Sequence, residues 1–263
     1  GLMIISRFSV VARWHVLLRS GGVKARWADS ARITFAGLFA SNFLPTTVGG
    51  DVARMGGALQ MGFDAAVSAA SLIVDRLVGL LGMVLTVPMG LSKLLQSGDL
   101  QGWESGILLM VAADKGWINK MLHRVDSLRR RLVTALKLWI SQPGALGTSL
   151  LFSLVHMACL FGAMFILLEG MHEPLPYLTI AGLWSLVYVI TLIPFTINAF
   201  GLQEVSITWA FAHLGGVSEP TSIVLALLVR TLFMLASVPG ALFLSDVLPG
   251  VAKAQPLLTK LDQ

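Results

Sequence analysis

Residues Ala66–Leu91 read AVSAASLIVDRLVGLLGMVLTVPMGL, and this stretch decides the fold class. A helix crosses a hydrocarbon core with about 20 apolar residues. Here the run is longer than that, and only Asp75 and Arg76 are charged. Leu150–Leu168 and Tyr177–Gln203 carry no formal charge, and Thr221–Ser245 carries only Arg230. Gly1–Leu18 is a further candidate span, interrupted by Arg7 and Arg13.

The whole chain agrees with these stretches. It has 263 residues, 56% hydrophobic and only 13% charged, about half the charge of a soluble domain. That excludes a single soluble core, a disordered chain and a nucleic-acid-binding arm. The net charge of +5 fits basic cytoplasmic loops better than a nucleic-acid partner. The sequence therefore predicts an all-α, polytopic transmembrane helical bundle of about five to seven spans.

Two apolar segments are broken. Ile33–Gly50 ends in Asn42-Phe43-Leu44-Pro45-Thr46-Thr47-Val48-Gly49-Gly50, and Asn198–Gly216 follows Pro194 and contains Gly201, Glu204 and His213. Proline and paired glycines interrupt a helix. At membrane depth such breaks are tolerated only where protein or water satisfies the freed backbone. Both are expected to be broken or re-entrant elements lining a cavity.

Loop charges set an expected orientation. The Arg19–Arg32 loop has four basic residues, Arg19, Lys24, Arg26 and Arg32. Residues 114–141 form a basic segment with Lys115, Lys120, Arg124, Arg129, Arg130, Arg131 and Lys137, and its apolar residues recur at helical spacing. It reads either as an amphipathic helix on the anionic leaflet or as a solvated linker helix. Both basic regions are expected in the cytoplasm, and Glu169–Pro176, with acids and no Lys or Arg, on the opposite face. Between the two basic regions the number of crossings must be even, so either Ile33–Gly50 crosses or the weak patch Ile107–Ala113 contributes. The chain is one membrane domain over 1–263, with a first half at 1–91, the basic segment at 114–141 and a second half at 149–246.

Charges within apolar stretches are expensive and tend to face a cavity or each other. They are Asp51, Arg54, Asp75, Arg76, Glu204 and Arg230. Asp51 and Arg54 share one face of a helix that follows Gly49-Gly50. Asp75 and Arg76 point about 100° apart, so one is expected to reach another element. The halves echo each other: Pro45, Asp51 and Arg76 in the first, Pro194, Glu204 and Arg230 in the second. Transporters built from internal repeats place broken helices in this way. Two readings stand: arginines attracting a phosphate beside acids that balance them or carry protons, or ion pairs that hold helices together. Asp51 also suits a helix cap, and Asn42 and Asn198 suit capping of freed backbone or ligand contact.

Other residues read as structural. His156 suits a hydrogen bond between helices, and His15 and His213 lack metal-ligand spacing. Ala66, Ala69, Ala70, Gly79 and Gly82 suit helix packing. Trp14, Trp27, Trp103, Trp117 and Trp139 are expected as interfacial anchors. Cys159 is a single cysteine, which gives no disulfide and no structural zinc site. No phosphate-binding loop, zinc-protease, nucleophile-elbow or dinucleotide motif occurs. No catalytic residue, metal or cofactor is therefore expected, and an enzyme is the least favoured reading.

The run from Asn42 to Arg54 resembles the flippase-like membrane domain family, found as the transmembrane region of lysylphosphatidylglycerol synthases and in stand-alone bacterial proteins. Ala12-Arg13-Trp14 with Leu17-Leu18 looks like its early Arg-Trp helix. Asp75-Arg76-Leu77 with Gly79-Leu80 looks like its acid-Arg helix. Pro194, Ile197-Asn198, Gly201, Glu204 and Gly215-Gly216-Val217 look like its second signature. Ala199 stands where a Gly is usual, and Gln203 where a basic residue often precedes the Glu. The family's first helix is expected to be absent and no soluble aminoacyl-transferase domain follows Gln263, so a complete lysyl-lipid synthase is not expected. The resemblance implies a bacterial inner-membrane protein that moves or presents anionic lipids or glycolipids, alone or beside a lipid-synthesis enzyme. The substrate or transport residues expected are Asn42, Pro45, Gly49, Gly50, Asp51, Arg54, Asp75, Arg76, Asn198, Gly201, Glu204 and Arg230.

Overall fold

The computed structural model describes residues 1–43, 49–88, 139–191, 201–247 and 249–251. Within these the chain is helical throughout: α1 (Leu2–Ser20), α2 (Trp27–Ala40), α3 (Gly49–Gln60), α4 (Ala65–Val84), α5 (Pro143–Gly170), α6 (Tyr177–Thr191), α7 (Leu202–Trp209) and α8 (Glu219–Ser237). A π turn, Ala210–Leu214, extends α7, and a 3₁₀ turn, Val238–Phe243, extends α8. Ala65–Val84, Pro143–Gly170 and Glu219–Val247 are long and apolar enough to cross a membrane.

Helix α5 runs antiparallel to α1. Gln142 meets Ser20, Ser153 meets Arg13, and His156 meets Ser6. Helix α4 begins beside the C-terminal end of α1, where Val67 crowds Gly21, and runs up α5 until Gly82 meets Met157. Asp64 caps α4 by accepting from the Val67 N–H at 2.8 Å, and Ser218 caps α8 by accepting from the Thr221 N–H. One end of the bundle thus gathers Ser20–Arg26, Gly62–Asp64 and Gln142. The other gathers Gly170–Pro176 and Gly215–Ser218, held together because the Ser218 and Thr221 hydroxyls donate to Glu173.

The two broken segments enter from opposite ends. Helix α2 starts at the basic end, where His15 stacks edge-on against Trp27, and runs inward until the Asn42 Nδ2 donates to Ser237 Oγ at 2.7 Å. Helix α3 returns to that end, where Gly56 packs against Gly250 and Val251. Helix α6 starts at the acidic end with the Tyr177 hydroxyl donating to the Ala158 carbonyl at 2.8 Å. It runs inward to Thr191, and α7 returns until Gly215 packs against Leu183 and Leu175. Tyr177–Gln203, expected as one crossing, is therefore not a single span. Its described parts are α6, which runs inward, and the first residues of α7, which runs back to the same end.

Both halves follow one plan with opposite sense: a long helix, a hairpin entering from the end that helix reaches, and a capped helix crossing back. Gly62 and Gly216 have φ values of +75° and +73° and each stands two residues before a capping residue. Only glycine takes that backbone at little cost. Gly22 and His172 likewise have positive φ just after α1 and α5.

Two expectations fail in the packing. Trp14 and Trp139 are fully buried within the protein and so are not interfacial anchors. Their indole N–H groups donate inward, Trp14 to Ser71 Oγ at 3.0 Å and Trp139 to Ser20 Oγ at 2.9 Å. Trp27 remains exposed. The Ile107–Ala113 patch, residues 114–138 of the basic segment, Trp103, Trp117, Pro45, Pro194 and Asn198 lie outside the described residues.

Candidate functional site

Charges on apolar helices converge because each finds its counter-charge on another element. Asp75 is 1% exposed, and its carboxylate takes both prongs of the Arg13 fork, Nε at 2.7 Å and Nη2 at 3.0 Å. Arg54 Nη1 approaches the same carboxylate at 3.0 Å. Arg13 Nη1 donates onward to Ser153 Oγ at 2.9 Å. One carboxylate thus joins α1, α3 and α4, and a serine adds α5. Gly79 leaves room for the Arg13 guanidinium, which would lie 3.1 Å from a Cβ there. The glycine read as packing surface is thus also a passage for a cation.

Asp51 is the third residue of α3 and pairs with Arg76 on α4 and, at 3.4 Å, with Arg54 one turn on. It lies inside the helix and does not cap it. Glu204 is the third residue of α7 and pairs with Arg230 on α8. The two interhelical pairs span 25 and 26 residues, so the echo in the sequence corresponds to one contact made twice. Gly201, at φ +80°, opens α7, and its N–H donates to Glu204 Oε2 at 2.9 Å.

Arg13, Arg54, Asp75, Asp51 and Arg76 border a cavity of about 440 Å³. Its walls carry Arg7, Arg13, Arg54 and Arg76 against Asp51 and Asp75, four cations and two anions. Asp75 and Arg76 have different partners but border the same space. Gly50 lies in the wall, pressed against the Gly37 carbonyl. A smaller cavity of about 160 Å³ adjoins, lined by Asn42 and Arg230 and sharing Arg7, Leu38, Ser41, Gln203 and Phe233 with the larger one. Gly49 is buried at the start of α3. Of the expected residues, Asn42, Gly50, Asp51, Arg54, Asp75, Arg76 and Arg230 border these cavities, while Glu204 reaches them through Arg230.

The sequence reading missed Arg7, Arg13 and Trp14. Arg7 stacks on Phe233, its guanidinium carbon 4.6 Å from the ring centroid, and Arg54 stacks on Trp14 at 4.4 Å. The available signal was two arginines spaced six apart in an otherwise apolar helix, the same signal that marked Asp75 and Arg76. His156, read as a hydrogen-bonded link between helices, accepts or donates at 2.7 Å with Ser6 Oγ and also borders the larger cavity. Among the described residues no group of three or more His, Cys, Asp or Glu is arranged to hold a metal ion.

An apolar helical bundle with two hairpins entering from opposite ends and a charged cavity between them defines a polytopic membrane protein with a polar interior. The chain belongs to the family described as the lysylphosphatidylglycerol synthase TM region, whose model matches residues 1–240. No curated protein and no solved structure matches it.

Proposed function

We propose that the protein translocates the headgroup of an anionic lipid or glycolipid between the leaflets of a bacterial inner membrane, while the acyl chains stay in the surrounding lipid. One observation carries this reading: charged side chains from separate helices border one cavity inside an apolar bundle, with four arginines against two aspartates. Such an excess attracts an anion, and the planar guanidinium fork suits phosphate. Arg54, Arg76 and Arg230 engage the headgroup, and Asp51, Asp75 and Glu204 offset their charge or carry protons. Asn42, Gly49, Gly50 and Gly201 shape the passage. Membership of a family named for a lipid-synthase membrane region supports a lipid partner.

The test is reconstitution of the protein into vesicles and measurement of leaflet exchange of fluorescent phosphatidylglycerol. Exchange should require the protein, and Arg54→Ala and Glu204→Ala should abolish it at unchanged incorporation. Exchange no faster than in protein-free vesicles would sink the reading.

A second reading, a non-transporting accessory subunit of a lipid-modifying enzyme, is favoured by the saturation of Asp75. A carboxylate gripped by Arg13 and Arg54 at 1% exposure suits a rigid joint. That reading requires a stable complex with a synthase and no leaflet exchange.

A further inference from the structure

We propose that the larger cavity binds a single phosphate group at Arg7, with Arg54 and Trp184 as further donors. The inference rests on the translocation reading and narrows it, because it selects the phosphate rather than sugar hydroxyls as the part of the headgroup that is held.

Of the three buried arginines among the described residues, Arg7, Arg13 and Arg54, Arg7 is the one without an acidic partner. It is 8% exposed, it makes no ion pair among the described residues, and its flat face rests on Phe233. Arg13, two turns along the same helix, shows the contrast, since Asp75 and Ser153 occupy its donors. A buried guanidinium without a counter-charge is costly unless something supplies one.

The unpartnered groups around the cavity also agree in kind. Arg7 Nε, Arg54 Nε and Nη2, and Trp184 Nε1 are sealed from solvent and have no hydrogen-bond partner among the described residues, and all three residues border this cavity. Arginine and tryptophan N–H groups only donate. The Thr34 hydroxyl, also unpartnered and in the same wall, can donate too. A ligand that completes this set brings acceptors and a negative charge. A phosphodiester does so, a sugar hydroxyl brings donors of its own, and an ammonium group is repelled.

Position supports the same residue. Arg7 follows Ser6, whose contact with His156 joins equivalent points of the two halves, and it borders both cavities. A phosphate at Arg7 is therefore reachable from the hairpins of either end. Val10, Leu160 and Val187 in the wall offer apolar surface for glycerol and the first acyl carbons.

The test uses the full chain in maltoside micelles, which contain no phosphate. The probes are phosphatidylglycerol with a fluorescent acyl chain, the matching diacylglycerol and inorganic phosphate. Phosphatidylglycerol should bind saturably and diacylglycerol should not. Arg7→Gln should lose about tenfold or more of the affinity, because hydrogen bonds to charged groups are the strong ones. Should that variant fail to fold, Leu38→Glu keeps Arg7 and adds a carboxylate to both cavities; it should weaken binding similarly. Displacement of the lipid by inorganic phosphate at equal affinity would assign the site to the free anion, still at Arg7. Equal affinity of the wild type and Arg7→Gln, of the wild type and a folded Leu38→Glu, or of the two lipids, would overturn the proposal. Leaflet exchange separates the two readings. Exchange that persists in Arg7→Gln with unchanged binding removes the Arg7 site but keeps translocation. Lost binding in Arg7→Gln with no exchange by the wild type keeps the site and removes translocation.

Discussion

Ser6 Oγ and His156 Nδ1 lie 2.7 Å apart and 150 residues apart in sequence, the same offset that relates Gly22 to His172 and Trp27 to Tyr177. Equivalent points of the two halves therefore touch each other, as residues near a two-fold axis do. Ser6→Ala removes the hydroxyl from the half-buried His156 Nδ1 and leaves it only the longer 3.3 Å contact with the Ser6 carbonyl. That should lower stability by about 1 to 3 kcal/mol, read from thermal unfolding in detergent, and Ser6→Thr should retain most of it.

Asp75 is the joint on which three helices depend. Asp75→Asn removes the charge facing both Arg13 and Arg54, and breaking a buried pair from one side costs about 3 to 5 kcal/mol. The variant should express poorly or melt well below the wild type. Arg13→Met combined with Asp75→Leu should be less damaging than the sum of the single changes, and strict additivity in that cycle would contradict the coupling.

The two repeated ion pairs should not contribute equally. The Arg76 side chain is 48% exposed in its pair with Asp51, whereas Arg230 and Glu204 are 16% and 20% exposed. Exposed pairs contribute about 0 to 1 kcal/mol and buried ones more when one partner is lost. Glu204→Gln should therefore destabilise the protein more than Arg76→Gln. Reversing both partners, as in Glu204→Arg with Arg230→Glu, should restore part of the loss, measured by the same melts.

Much of this arrangement was legible in the sequence because a charge inside an apolar run is conspicuous. Asp51, Arg76, Glu204 and Arg230 stood out in this way, and Pro45 and the Gly49-Gly50 pair marked where helices break. What stayed hidden depends on contacts between distant segments. Asp75 meets Arg13 across 62 residues, and Arg13 meets Ser153 across 140; no local spacing announces either. Trp14 carries the composition of an interfacial anchor, and only the docking of α3 and α4 onto α1 encloses it. Pro194 and Gly201 suggested a broken segment over Asn198–Gly216, but nothing local showed that α7 turns back to the end where α6 began. The correspondence of the halves lies in backbone angles and caps, at an offset of 150 for Gly22 and His172 and of 154 for Asp64 and Ser218, so residue identity alone conceals it.

Acid should loosen the end of the bundle where α5 meets α8. The Ser218 hydroxyl first of all, then its N–H and the Thr221 hydroxyl, donate to the Glu173 carboxylate and hold its pKa below the usual 4.5. A depressed folded-state pKa gives stability that is present above the unfolded value and lost as pH falls through the folded one. The wild type should thus be more stable than Glu173→Gln near neutral pH, and the difference should shrink as pH drops below about 4. Melting curves of both proteins across that range test it, and a gap that widened on acidification would reverse the sign argued here.

Close approach of backbones, rather than side-chain fit, joins the first hairpin to the last span. A Cβ on Gly240 would overlap the Phe35 carbonyl oxygen and press on Phe39 Cβ at 2.8 Å, and backbone cannot rotate aside as a side chain can. Gly240→Ala should therefore force α2 away from the α8 extension, costing about 1 to 3 kcal/mol or more as overpacking does. Gly147, in α5, has nothing within 4 Å of an added Cβ. Alanine there gains helix propensity, so Gly147→Ala should stabilise by up to about 1 kcal/mol. The two variants make the same chemical change in opposite surroundings, and opposite shifts in melting temperature are the expected result. A loss at both positions would mean that glycine itself, and not the neighbour it admits, matters at Gly240.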